Sequence, residues 1–207
     1  MFPKNESSVP ETARGSYPKG IARRQEILDR AIEVFADRGA AGTSLRAIAQ
    51  SIGVSHAALT HYFSSREQLL VEVYLEAEAR NRIAERGAEQ LPPVAGMARS
   101  AERNRTVPGL IQLYSTLVAT ALEDGHPEAT AFATERFARL RRDLAAQIQA
   151  LQEAGSMRSG IDPTAAAALV IAASDGLQIQ WLLDATVPQK AALQMLSALF
   201  ATQPDGP

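Results

Sequence analysis

The most informative segment of this chain is Leu45-Arg-Ala-Ile-Ala49-Gln-Ser-Ile-Gly53-Val-Ser55-His-Ala-Ala-Leu59. Ala49 is the small residue that a close crossing of two helices requires. Gly53, four positions later, can adopt the positive φ of a tight turn without a Cβ clash. Ser55 is placed to cap a second helix. Apolar residues suited to the space between the two helices complete the pattern, and they are Ile48, Ile52, Val54 and Leu59. The spacing predicts a helix-turn-helix.

The second helix of this unit is predicted to turn small and polar side chains outward: His56, Ala57, Thr60 and His61. Such a face can enter the major groove of B-DNA, which is about 12 Å wide. Two histidines five residues apart do not suit metal ligation on a helix, which prefers a spacing of four. The pattern therefore favours a nucleic-acid contact over a metal site.

The rest of the chain has helical periodicity from Lys19 onward, and no stretch alternates with the period of a strand. The pattern predicts an all-α protein of about nine helices. The segment Met1–Pro18 lacks periodicity and is predicted to be a flexible tail. Gln90–Val107 is the least regular internal stretch, with room for one short helix. Ser64 with Glu67, or Ser65 with Gln68, forms the capping box of a long helix that runs to about Arg86.

Composition excludes several classes of protein. A chain of 207 residues with 46% hydrophobic content can bury a core, and its formal net charge is only −2. The absence of cysteine excludes disulfides, thiol catalysis and the common zinc-finger sites. The longest apolar run is Ala165–Ala173, far below the roughly 20 residues of a membrane helix. The N-terminus has no apolar signal region, so we expect a cytoplasmic protein without a membrane partner.

The near-neutral total charge conceals an asymmetry along the chain. Residues 1–66 contain nine basic and six acidic side chains, a net charge of +3, whereas residues 67–207 have a net charge of −5. A basic front on an acidic body favours a polyanionic partner for the front. Alone this is a weak signal, but it agrees with the helix-turn-helix.

The sequence contains no arrangement typical of catalysis. The carboxylate pair Glu123-Asp124 has no partner base, and there is no glycine-rich phosphate loop, serine nucleophile motif or metal cluster. The sequence therefore predicts a protein that is not an enzyme and has no cofactor. The alternative is an all-α small-molecule-binding protein or enzyme in which the first three helices merely pack. Salt-dependent binding to duplex DNA distinguishes the two.

The span Arg24–Tyr74 resembles the DNA-binding domain of TetR-family transcriptional regulators. The matching features are Ile27-Leu28, Ala31, Phe35, Gly39, Gly42-Thr43-Ser44, Ile48-Ala49, Gly53-Val54-Ser55, Leu59, His61-Tyr62-Phe63 and Arg66-Glu67-Leu69-Leu70. One departure is Thr60, where many members have an aromatic residue. The resemblance implies a DNA-binding domain at residues 19–66 and a ligand-binding and dimerisation domain at residues 67–207.

The pattern and the resemblance together give the candidate DNA contacts: Thr43, Ser44, Arg46, Ser55, His56, Ala57, Thr60, His61, Tyr62 and Arg66. Thr43 is also a candidate cap of the second helix. The Tyr62 hydroxyl either binds a phosphate or the ring packs beside Phe63. Arg66 lies at the positive end of a helix, where a phosphate would relieve the charge.

The resemblance also implies a homodimer formed by the last two helices, Asp162–Ala185 and Pro188–Ala201, and a repressor released from a palindromic double-stranded DNA operator by a small molecule. Ala165–Ala173 is apolar on every side and is expected to be buried all round. A regulator that works without any ligand is also compatible with the sequence, because a filled cavity and an empty one have the same composition.

Candidate residues for the effector cavity, each also compatible with plain core, are Met97, Leu113, Tyr114, Leu117, Phe132, Phe137, Gln178 and Trp181. Few of them are polar, which predicts a small apolar organic effector. The basic segments Arg80–Arg86, Arg99–Arg105 and Arg136–Arg142 are interleaved with acids and are expected on solvated faces, with an inward-turned Arg139 or Arg142 as the alternative.

Overall fold

The computed structural model describes residues 13–38, 44–85, 87 and 91–201. Within these ranges the chain forms nine α-helices and no strand, which confirms the all-α prediction. The helices are α1 (Ala13–Arg38), α2 (Leu45–Ser51), α3 (His56–Tyr62), α4 (Arg66–Ala84), α5 (Pro93–Asn104), α6 (Pro108–Thr120), α7 (Pro127–Glu153), α8 (Pro163–Leu183) and α9 (Gln189–Phe200).

Two helices differ from the prediction. α1 begins at Ala13, so residues 13–18 of the predicted tail are helical, and residues 1–12 lie outside the described ranges. The stretch predicted to be irregular contains the full helix α5. Pro93 occupies the first turn of α5, where a backbone N–H would have no partner within the helix, so its absence from proline costs nothing. Val94, Ala98 and Ala101 are buried along one face of this helix. Its prolines therefore mark the start of a helix and not a loop.

A first hydrophobic cluster joins the helix-turn-helix to the helices that follow it, α4 to α9, which we call the body of the protein. It contains Ile27 and Phe35 of α1, Leu59 of α3 and Leu69 of α4, and it extends to α6 and to the start of α7. The cluster thus crosses the predicted boundary at residue 66. Polar contacts reinforce the junction of α1 with α4: Arg24 pairs with Glu72, Asp29 pairs with Arg80, and Gln25 donates to Glu76 over 2.9 Å.

A second hydrophobic cluster holds the C-terminal helices α5, α7, α8 and α9 together. Ala166, Ala167, Val170 and Ile171 line the buried face of α8. The opposite face of the same helix is exposed in the single chain, and Leu169 and Leu183 have 48% and 85% of their surface accessible. The segment Ala165–Ala173 is therefore not buried all round within one chain.

By length and composition α8 is apolar enough to cross a membrane, with a mean hydropathy of 1.4 over its most apolar stretch. The nine-residue apolar run understates this, because the helix continues beyond it. Core helices of soluble proteins meet the same criterion. α8 contacts α5, α6, α7 and α9 and carries Asp175, and this packing favours a role as a bundle helix.

Candidate nucleic-acid interface and internal cavity

The turn between α2 and α3 has the geometry that the sequence predicts. Gly53 has φ +70°, and a Cβ placed there would meet nothing closer than 3.7 Å, so backbone conformation and not space requires glycine. The Val54 N–H donates to the Ala49 carbonyl over 2.9 Å and closes the turn. Ile48 and Leu59 are fully buried between the helices. These contacts fix the angle at which α3 leaves the turn.

Serine hydroxyls cap both helices of the unit. The Ser44 hydroxyl accepts from the Ala47 N–H over 3.2 Å, and the Ser55 hydroxyl accepts from the Ala58 N–H over 3.1 Å. The predicted cap at Thr43 is wrong, because Ser44 has the extended backbone of the capping position and directly precedes the first helical residue. Thr43 itself lies outside the described residues.

The outer face of α3 is exposed at His56, Ala57, Thr60 and His61, the four residues that the sequence places there. The Thr60 hydroxyl donates to carbonyls of its own helix, and its oxygen lies 3.1 Å from the His56 carbonyl oxygen. A contact of this hydroxyl with DNA would require that hydrogen bond to break. Arg46 and His56 share a concave surface between α2 and α3 with Ala49, Gln50 and Val54. Two of the predicted contacts, Arg46 and His56, therefore share one surface, and Ser44, Ala57, Thr60 and His61 are exposed on the same helix-turn-helix.

Tyr62 and Arg66 lie at the edge of this surface. Tyr62 is half-buried against the first cluster, and its ring meets the His61 ring edge-on with centroids 4.9 Å apart. The ring is thus packed but not completely buried. Arg66 is half-buried in the first turn of α4.

The start of α4 is bonded to the start of α7. Ser65 is the helix cap, accepting from the Gln68 N–H over 2.9 Å, while Gln68 accepts from the N–H of Ser64. Glu67 is not part of a capping box, since its carboxylate accepts from the N–H of Ala129 and faces His126 at 3.2 Å. The Ser65 hydroxyl also donates to Glu128 over 2.6 Å. The helix that follows the helix-turn-helix is thus tied directly to the body.

The body encloses a cavity of about 430 Å³ between α4, α5, α6, α7 and α8. Of the predicted lining residues, Met97 and Gln178 line it. Leu113, Leu117 and Phe132 are instead packed in the first cluster, and Phe137 packs between the two clusters. Trp181 lies under the Arg105 guanidinium, 5.3 Å from the ring centre. Leu113, Leu117 and Phe132 are therefore core, whereas Trp181 is half-buried outside both clusters.

Tyr114, the remaining candidate, belongs to a charged network beside the cavity. Its hydroxyl donates to Asp175 over 2.8 Å, and its ring stacks on Tyr74. The Arg136 guanidinium lies 4.8 Å from the Tyr114 ring centre and 5.2 Å from that of Tyr74. Arg136 also pairs with Glu78 of α4. Burial raises the pKa of Tyr74 to about 12 and raises the pKa of Tyr114 further, so both phenols stay protonated.

Glu78 is the centre of this network. Arg136 pairs with it, Arg139 lies 3.1 Å away and Arg82 lies 3.8 Å away. Burial alone would raise the pKa of the Glu78 carboxyl, but the three guanidinium groups outweigh burial and lower it. Burial raises the pKa of Asp175, which has a tyrosine hydroxyl as its neighbour.

The expectation that Arg136–Arg142 is wholly solvated is therefore wrong, because only 13% of the Arg136 side chain is exposed. Spacing contains a usable signal for this. Arg136 and Arg139 are three residues apart, next to the apolar stripe of α7, so both share one face of that helix. Their partner Glu78 cannot be found from the sequence, since it comes from another helix.

Two family models match this chain. A model described as bacterial regulatory proteins of the tetR family matches residues 27–73, and a model of the C-terminal domain of BetI-type transcriptional repressors matches residues 111–204. Together the two cover more than half of the chain. Both describe transcriptional regulators and not enzymes, which confirms the class that the sequence predicts.

Individual proteins agree with these models. The chain is 46% identical over 52 residues to the transcriptional repressor KstR2 of Mycolicibacterium smegmatis, a match to 25% of each protein. It thus spans about a quarter of the length of that relative. The transcriptional regulator PksA of Bacillus subtilis is 27% identical over 174 residues, covering 78% of this chain and 80% of that protein.

Among solved structures, a complex of SmeT with triclosan has the same fold. Its TM-score is 0.67 and its sequence identity 21%, and the match covers 89% of this chain and 93% of that one. The resemblance of Arg24–Tyr74 is thereby extended to the whole architecture. The chain belongs to the TetR family of bacterial DNA-binding transcriptional regulators.

Proposed function

We propose that this protein is an effector-responsive repressor that binds a palindromic operator as a homodimer. The observation that carries the proposal is the exposed outer face of α3, His56, Ala57, Thr60 and His61, on a helix held from its inner side by the fully buried Leu59. Small residues at this face allow close approach to base edges, and the two histidines supply donors and acceptors. A regulator of bacterial transcription works on chromosomal DNA, so we place it in the cytoplasm.

A second copy of the chain is the proposed partner of α8 and α9. Both helices expose large apolar side chains in the single chain: Leu169, Ile179, Leu183, Met195 and Leu199. A surface of this kind on a soluble protein indicates an interface. Pairing α8 and α9 with their counterparts would form a four-helix bundle around a two-fold axis. The same axis would place two copies of α3 about 34–36 Å apart, one turn of DNA.

The cavity in the body is the proposed effector site, and α4 is the proposed link to DNA. α4 contributes Tyr74, Glu78 and Asn81 to the cavity wall, and its first turn follows the recognition helix directly. Binding in the cavity would therefore move a helix that positions α3. Effector affinity and operator affinity are then coupled, and the coupling must be reciprocal. The triclosan complex of SmeT shows that a protein of this fold holds a small organic molecule.

The residues that line this cavity change the chemical class of effector that we expect. A largely apolar molecule is the expectation from sequence, but charged side chains from α4, α5 and α7 line the cavity alongside apolar ones. A wholly apolar ligand would exclude water from these charged groups, which is costly. We therefore propose an effector that has a polar or charged group as well as an apolar part.

Replacing Arg46 with alanine is expected to weaken DNA binding about equally at all sequences, since one phosphate contact is lost. The slope of log binding constant against log salt concentration should become smaller in magnitude by about 1. Arg46 is exposed beside His56 and does not support the fold. Fluorescence anisotropy of a labelled duplex at several salt concentrations measures both effects. Arg141, also an exposed arginine, lies on α7, so Arg141→Ala is the matched control and should leave this slope unchanged. A loss confined to one base position would contradict the phosphate role.

The same titration on random duplex DNA separates the regulator from the alternative, a small-molecule-binding protein whose first helices only pack. The regulator should bind with micromolar or weaker affinity that falls steeply with salt, because nonspecific binding is electrostatic. Absence of any salt-dependent binding would reject the proposed function.

A further inference from the structure

Two arginines of α7 share one carboxylate of α4 at the wall of the cavity. Arg136 and Arg139 both pair with Glu78, and Arg82 of α4 approaches the same carboxylate at 3.8 Å. A guanidinium has five N–H donors in a fork that matches a carboxylate. One carboxylate therefore cannot saturate these groups, and they retain the capacity to bind a second anion.

The hydrogen bonds that this region lacks are all on the donor side. Arg136 Nε, Arg103 Nε and Gln178 Nε2 are buried without a partner among the residues that the structure describes, and all three residues line the cavity. Gln178 is 94% buried, since only 6% of its surface is accessible, and its amide oxygen already accepts from Asn104 over 3.2 Å. Buried donors of this kind are normally satisfied. A ligand that satisfies them must supply acceptor oxygens.

The acidic residues that face the same cavity oppose an anion only in part. Glu85 pairs with Arg103, and Asp143 is exposed to solvent. Asp175 accepts from the Tyr114 hydroxyl, and burial raises the pKa of its carboxyl. The remaining carboxylate, Glu78, is the one that an incoming anion would replace.

The apolar part of the wall defines the rest of the ligand. Met97, Leu110, Ile111, Leu140 and Ile171 line the cavity. A cavity of about 430 Å³ lies in the usual size range for small organic ligands and admits a hydrocarbon chain of medium length beside a carboxylate.

We propose that the effector is an organic carboxylate with a hydrocarbon body, whose carboxylate replaces Glu78 at Arg136 and Arg139. This rests on the proposed effector role of the cavity. Loss of its two partners on α7 frees the middle of α4, while the bonds of Ser65 and Glu67 still hold the first turn of that helix to α7. α4 then moves about its first turn, and the position of α3 changes with it.

The test compares three probes with the same chain: octanoate, octanol and octylammonium. Calorimetric titration of the dimeric protein is expected to give octanoate at least tenfold tighter binding than either of the others. Glu78→Gln removes the competing carboxylate, and we expect at least fivefold tighter octanoate binding and weaker operator binding without ligand. Arg139→Gln should weaken octanoate binding at least tenfold. Glu135→Gln, an exposed glutamate on α7, is the matched control and should change none of these affinities.

Octanol or octylammonium binding as tightly as octanoate would overturn the carboxylate proposal, as would absence of octanoate binding. Unchanged octanoate affinity in both Glu78→Gln and Arg139→Gln would overturn the site. Operator binding, measured on the same samples by anisotropy, reports separately on the proposed function. If octanol releases the protein from operator DNA as readily as octanoate does, the cavity still has an effector role, but the proposal that the effector is an anion is wrong.

Discussion

Replacing Leu169 with glutamate is expected to convert the proposed dimer into a monomer and to lower operator affinity about 10²–10⁴-fold, because a monomer loses the avidity of a second half-site. Leu169 lies on the exposed apolar face of α8, next to buried Ala167 and Val170 of the opposite face. In the proposed four-helix bundle its carboxylate would be desolvated without a partner. Sedimentation velocity measures the oligomeric state, and anisotropy measures operator affinity.

Leu122→Glu is the matched control for this experiment. Leu122 follows α6 and is 86% exposed, so its replacement by glutamate introduces the same charge away from α8 and α9. We expect this variant to remain dimeric and to bind operator normally. An intact dimer for Leu169→Glu would remove this face of α8 from the interface, and loss of the dimer in both variants would point to a general effect of charge.

Leu59→Ala is expected to destabilise the protein by about 2–5 kcal/mol, the usual range for a leucine truncated in a packed core. Leu59 has no accessible surface and holds α3 against α2 and the first cluster. Its loss leaves a cavity under the recognition helix, so DNA affinity should fall even at temperatures where the body stays folded. Chemical denaturation followed by circular dichroism gives the free energy of unfolding.

Leu122→Ala serves as the control for stability, since an 86% exposed leucine contributes little burial. We expect a change within about 0.5 kcal/mol, as for surface substitutions in general. A similar small loss for Leu59→Ala would show that α3 does not depend on this core and would weaken the account of how the recognition helix is held.

The helix-turn-helix could be predicted because local rules determine it. Gly53 is needed for a positive φ, Ser55 for a cap and Ala49 for a close crossing, and each requirement acts within a few residues of the chain. The exposed face of α3 follows from the same periodicity. The cap at Ser44 in place of Thr43 is an error of one position, within the usual uncertainty of helix boundaries.

The body was harder to predict because its important contacts join distant parts of the chain. Glu78 meets Arg136 from another helix, and Tyr114 meets Asp175 in the same way. Interleaved charges are typical of solvated faces, and only packing shows that Arg136 is largely buried. Apolar residues such as Leu113 have the same composition whether they line a cavity or fill a core, so periodicity could not separate them.

The helix α5 could not be predicted for a different reason. The stretch Gln90–Val107 is the least regular one inside the chain, yet Pro93 begins a full helix there. At the first turn it lacks no hydrogen bond and its fixed φ suits the helix, so the physical rule favours a helix there.

Selection of binding sites from a random duplex library tests the central claim most directly, that α3 of a two-fold dimer recognises a specific operator. We expect enrichment of an inverted repeat whose half-site centres lie one helical turn, or a multiple of it, apart. Specific duplexes should bind about 10³–10⁷ times more tightly than unselected ones. His56→Ala and His61→Ala should change the bases selected in each half-site. A library that yields no enriched sequence, or a single unrepeated site unaffected by either variant, would contradict the account.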